Sequence, residues 1–165
     1  EGLNIMARDH FIAPTAPTET AIAVRLGAGS GSSNNLTTAE VGKFAKLVAE
    51  SRYNLCAVGN EIEGVIFAVE LAPQNQFTVG SIVEEGVVNV VFDGLQATPG
   101  TGVVAIGDYV VTGTPVAKDT ALTTFPAVCK ATAAGNTLNF KWRVVSLGTA
   151  GTGAVGTTGA IAKVS

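Results

Sequence analysis

Charge is what this sequence has least of. Asp, Glu, Lys and Arg make up 14% of 165 residues, 10 basic against 13 acidic, for a formal net charge of -3. A thin and nearly balanced charge excludes the clustered basic surface that nucleic-acid binding requires. Aromatic residues reach only 6%, with Trp142 the single tryptophan, too few for the stacked platform of a glycan or single-strand binder. The two cysteines, Cys56 and Cys129, lie far apart with no CxxC pair. They read as small buried thiols of a reducing compartment, not as a disulfide or a metal knuckle. Long apolar runs are missing as well: stretches such as Val65 to Val69 and Val90 to Phe92 fall well short of a membrane helix, so no membrane partner is expected. The N-terminus shows no basic segment followed by an apolar run, and Met6-Ala7-Arg8-Asp9 looks like an ordinary start, which leaves residues 1–5 as either an upstream extension or part of the native start.

What the chain does have is 47% apolar residues, 20 glycines and many threonines, a mixture that favours pleated strands joined by tight turns. The expected fold class is all-β, a small β-barrel or jelly-roll-like sandwich with extended Gly-rich N- and C-terminal arms. Residues 1–36 read as the first arm, 37–147 as the body and 148–165 as the second arm. Within the first arm, Ala21 to Leu26 can form one strand, either in the core or added to a neighbour's sheet. In the body, strands are expected at 55–58, 62–70, 81–84, 87–92, 103–105, 108–112, 127–132 and 138–147, punctuated by Gly and Asn pairs such as Gly59-Asn60 and Gly135-Asn136. The last is the clearest, with Phe140, Trp142 and Val144 on one face and Lys141 and Arg143 on the other. So little charge on so apolar a chain implies that a partner covers part of its surface.

The segment from Thr37 to Arg52 reads two ways. Thr37 and Glu40 form a possible capping box, and Val41, Phe44, Ala45 and Val48 share a helical face. Against that stands an internal repeat: Val41-Gly42-Lys43-Phe44 matches Ile106-Gly107-Asp108-Tyr109, and a strand follows each, at Val65 and at Val128. Because the second copy alternates and turns like a hairpin, the repeat favours a strand at 43–50.

No catalytic, cofactor or metal residues emerge, and an enzyme is not expected. His10, the only histidine, sits beside Asp9 outside every expected strand, where no scaffold would hold it as a base. The run Gly27 to Asn35 has the glycines of a phosphate loop but lacks its Lys-Ser/Thr pair, which leaves a flexible linker. Glu61/Glu63 and Glu84/Glu85 could serve acid-base chemistry or Ca²⁺, yet no calcium loop accompanies them, and solvated edge residues are the simpler reading. Interface candidates are Ile22, Val24 and Leu26 in the first arm, Val155 and Ile161 in the second, and Trp142 as an anchor.

Three stretches, Val41 to Glu70, Val88 to Ala117 and Phe140 to Gly159, together resemble the decoration (cement) proteins of tailed-bacteriophage capsids. The resemblance implies a β-body on the outer capsid surface of the virion, made in the host cytoplasm. Its partner would be the major capsid protein, which it would bridge to strengthen the expanded head. It also implies a homo-dimer or homo-trimer, with the terminal arms gripping the shell. The alternative is a fibre-associated β-domain binding a host glycan, which the shortage of aromatics disfavours.

Overall fold

The computed structural model describes residues 21–27, 36–72, 77–114 and 125–164. Those residues are all-β, as the composition demands: eleven strands and two single turns of 3-10 helix. The strands form two mixed sheets packed across a shared core.

The first sheet contains β1 (Ala21–Leu26), β2 (Phe44–Ala49), β3 (Arg52–Leu55), β4 (Gly64–Ala72) and β5 (Phe77–Val83), in the closed order β1-β3-β2-β4-β5. The second contains β6 (Val87–Leu95), β7 (Thr98–Pro99), β8 (Tyr109–Thr112), β9 (Ala127–Lys130), β10 (Trp142–Ser146) and β11 (Thr158–Lys163), in the order β11-β10-β8-β9-β6-β7. A β11–β6 pairing closes this sheet too, leaving β7 as a short hairpin on β6. Each closed lobe satisfies its strand edges internally, which removes the exposed ladders that invite aggregation.

The two lobes have the same topology. β1 runs parallel to β3 and antiparallel to β5, and β6 runs parallel to β9 and antiparallel to β11. The remaining pairs, β2–β3, β2–β4 and β4–β5, repeat as β8–β9, β8–β10 and β10–β11, all antiparallel. Registers repeat as well. Leu26↔Tyr53 corresponds to Phe92↔Val128, Phe44↔Val65 to Tyr109↔Arg143, and the bulge between Ile66 and Ala68 to the bulge between Val144 and Ser146. Even the entry turns agree: Gly42 N–H donates to Ile66 O at 2.7 Å, and Gly107 N–H to Val144 O at 2.9 Å. These two glycines have φ of 87° and 89°, a left-handed conformation that other residues adopt only with strain.

The repeat seen in the sequence is therefore a duplication of a five-stranded unit, with one correction. Gly42 does correspond to Gly107, but the strand at Val128 is the counterpart of β3, and Val65 corresponds to Arg143. The expectation of strand over helix at 43–50 holds, since β2 occupies it. The capping box is also real: Thr37 Oγ1 accepts from Ala39 N–H and Glu40 Oε2 from Thr37 N–H, around one 3-10 turn (Thr38–Glu40) that Val41 ends.

The C-terminal arm needs a larger correction. Residues 158–163, expected to belong to an extended Gly-rich arm, form β11 between β10 and β6 in the middle of the second lobe. The glycine that made this stretch look floppy is a packing requirement. A Cβ at Gly159 would lie 2.3 Å from the Phe92 ring and 2.4 Å from Ser146 O, and its counterpart Gly80 would put one 2.2 Å from Ala68 O. Of the N-terminal arm, β1 belongs to the first lobe's own sheet, while residues 1–20 and 28–35, which include His10, lie outside the described residues. Residues 103–105 contribute one isolated bridge, Val103↔Ala154, in place of the expected strand.

Candidate functional site

Three exposed apolar residues stand out on the second lobe. In the run from Val103 to Ile106 only Val104, 1% exposed, enters the core, while Val103 is 60% and Ile106 65% exposed. Ile106 immediately precedes Gly107, whose amide bonds to Val144 O, so it lies next to the strand carrying Val145, which is 40% exposed. Val145 points outward because β10 alternates, burying Trp142 and Val144 and exposing Arg143. No pattern in the sequence marked these residues: Val103 to Ile106 are all apolar, and only Val104 of them is buried.

The interface candidates sit elsewhere. Val24 and Leu26 line the inside of the first lobe, and Trp142 and Ile161 lie within the core that joins the lobes, both at 0% exposure. Val155 is half-buried in the turn before β11. Ile22 is on β1, and its side chain lies outside the described residues. Apolar character suggested these residues as anchors for a partner, and the protein uses the buried ones to anchor its own core.

The junction between the lobes occupies much of the chain's polar chemistry. Gly59 N–H donates to Thr112 O, and Thr112 N–H donates to Asn60 O, so the loop after β3 runs along the edge of β8. Glu61 Oε2 accepts from the amides of both Asn139 and Phe140 at 2.9 Å, and the Trp142 indole donates to Ile62 O at 2.9 Å. Glu61 is therefore a clamp between lobes, not a solvated edge residue. Its neighbour Glu63 is half-buried, Glu84 accepts from the Tyr53 hydroxyl at 2.9 Å, and Glu85 is exposed. The buried Asp93 accepts from Thr114 N–H and holds the chain leaving β8.

A cavity of about 440 Å³ lies at this junction, lined by Phe44, Cys56 and Val58 from one lobe and Thr112, Phe125 and Pro126 from the other. Cys56 donates its thiol to Glu61 O, and burial pushes its pKa up to about 11, so at neutral pH it is not the thiolate a nucleophile needs. Burial likewise raises Cys129, at 0% exposure, to about 11. Both are free thiols. Among the described residues no group of three or more His, Cys, Asp or Glu is placed to hold a metal ion, and no helix is long and apolar enough to cross a membrane. Comparison with protein-family models, with curated proteins and with solved structures finds no match to this chain.

Proposed function

We propose that this chain is a structural virion protein that binds the outer surface of an icosahedral phage head. There it cements neighbouring major capsid subunits and stabilises the expanded shell, without catalysis. The observation that carries the reading is the exposure of the apolar side chains of Val103, Ile106 and Val145 on a chain whose charge is only 14%. Large apolar side chains left bare beside few charges suit a surface that a partner covers. Supporting it are the resemblance of the stretches 41–70, 88–117 and 140–159 to decoration proteins, and the use of Glu61, Asp93 and Cys56 for internal hydrogen bonds.

The test is cosedimentation with expanded, undecorated heads beside unexpanded precursor heads. Stoichiometric binding to expanded heads, lost on Ile106→Asp with the circular dichroism unchanged, is the expected result. Binding to neither form would overturn the reading and favour a glycan-binding fibre domain.

A further inference from the structure

The duplication allows each inward position of one lobe to be compared with the other, and at one of them the second lobe buries a hydroxyl that the frame does not need. Leu47 pairs with Tyr53 and Thr112 with Val128, and Tyr53 and Val128 are counterparts, so Thr112 stands where the first lobe has Leu47. Leu47 is 46% exposed at the open end of its lobe, whereas Thr112 is only 8% exposed. The difference arises because the loop after β3 covers Thr112, taking both its backbone groups: Gly59 N–H donates to Thr112 O, and Thr112 N–H donates to Asn60 O. The side chain is not provided for in the same way. Thr112 Oγ1 is buried and has no hydrogen-bond partner. Such a group is costly to keep and calls for a physical reason, and strand pairing supplies none, since its counterpart is a leucine.

The hydroxyl belongs to the wall of the cavity between the lobes. Along β8, Val111 packs with Cys129 and Leu138 on one side, while Val110 enters the core that joins the lobes. Thr112 therefore turns inward with Val110, beside its pair Val128 in the same core. There it lines the space of about 440 Å³ together with Phe44, Cys56 and Val58. It lies close enough to the Cys56 thiol to hold that group's pKa below what burial alone would give. The thiol nonetheless donates to Glu61 O at 3.5 Å, and no hydrogen bond joins it to the hydroxyl. Among the described residues lining the cavity only Lys43 is charged, and it pairs with Glu40 at 3.6 Å. An apolar chamber with one unsatisfied polar group at its wall has the make-up of a small-molecule site.

We propose that this cavity binds a small, uncharged aromatic molecule carrying one hydroxyl or carbonyl group, which hydrogen-bonds Thr112 Oγ1 while its rings pack against Phe44. A threonine hydroxyl both donates and accepts, so either group satisfies it. Phe44 and Phe125 in the lining favour an aromatic body, since rings pack edge-to-face or offset on one another. The volume sets the size: a cavity of about 150 Å³ accommodates a benzene ring, so this one suits two fused rings better than one. Charge is disfavoured because a charged group would leave water for a lining whose one cation is already paired. Bound between the lobes, the molecule would stabilise the folded chain by mass action. The inference rests on the duplication and the cavity, and is independent of the capsid reading, which rests on other residues.

Titration of the full chain with 2-naphthol and, separately, with naphthalene, each followed by ligand fluorescence, reads the site directly. Saturable one-to-one binding of 2-naphthol that raises the unfolding temperature is expected. Thr112→Val keeps the shape and removes the hydroxyl, so it should weaken 2-naphthol about tenfold and leave naphthalene unchanged. Without ligand this variant should unfold no earlier than wild type, because the unpaired buried group is gone. Val58 lines the cavity and is 48% exposed, so Val58→Trp can fill the space without disturbing the core, and it should weaken both ligands. Failure of the wild-type chain to bind 2-naphthol saturably, or equal affinity for it in Thr112→Val or in Val58→Trp, would overturn the proposal.

Discussion

At three corresponding inward positions the first lobe has Leu26, Tyr53 and Gly64, and the second has Phe92, Val128 and Trp142. The largest side chain moves from β3 in one lobe to β10 in the other, while the strand pairing, the bulges and the entry glycines stay the same. Close packing requires that the volume be filled, not that any one position fill it. The outer faces differ more sharply. Phe44, Val65 and Val83 of the first lobe are buried under the second, and their counterparts are Tyr109, Arg143 and Ala162, with Arg143 exposed. A further unit stacked on the second lobe in the same way would have to bury Arg143 where the first lobe buries Val65.

The largest effect is expected at Trp142, where the lobes differ most. Trp142→Ala removes the biggest fully buried side chain and the indole bond to Ile62 O. It should cost about 3–5 kcal/mol in urea unfolding. A loss under about 1 kcal/mol would mean that the junction collapses around the gap as freely as Gly64's end of the first lobe packs without a side chain.

Smaller, and equal in the two lobes if the duplication is energetic as well as topological, is the effect of alanine at Gly80 and Gly159. Each Cβ would press into a backbone carbonyl across the bulge, that of Ala68 or Ser146. Thermal unfolding should show each variant destabilised by about 1–3 kcal/mol, as for overpacking elsewhere. If only Gly159→Ala is destabilising, the matched registers do not imply matched constraint.

The mildest distinction is in alkali. Burial raises Tyr53 to about 12, with the Glu84 carboxylate adding to it, and raises Cys56 and Cys129 to about 11. Groups with raised pKa are neutral in the folded state and ionise sooner when unfolded. Their contribution is complete below the unfolded values of 9.0 and 10.0, and is lost as pH rises through the folded ones. Stability should decline from about pH 9 upward. Because Tyr53 and Cys56 belong to the first lobe and only Cys129 to the second, amide exchange should rise first in β2 and β3. Simultaneous loss in both lobes would show that the shared core couples them into one cooperative unit.

Several of these features were legible in the residues. Alternating Val and Thr with glycine turns signalled strands, Thr37 and Glu40 signalled a cap, and Gly42 with Gly107 signalled a repeat. Strand ends were less legible: β3 was expected at 55–58 and lies at Arg52–Leu55, because its register is set by Leu26 and Leu47 across the sheet, not by its own apolar run. The exposure of Val103, Ile106 and Val145 was out of reach, since it depends on which face the chain turns to its neighbours.

By itself, then, the sequence determined that the chain is β, where it turns and that it repeats, because backbone preference and glycine's freedom act over a few residues. Only the tertiary structure decided that the glycine-rich tail is a central strand, that Trp142 faces inward and that Glu61 joins two lobes. Those outcomes depend on contacts between residues far apart in the chain, such as Gly159 against Phe92 and Glu61 against Asn139, and no local pattern specifies which distant partner will be there.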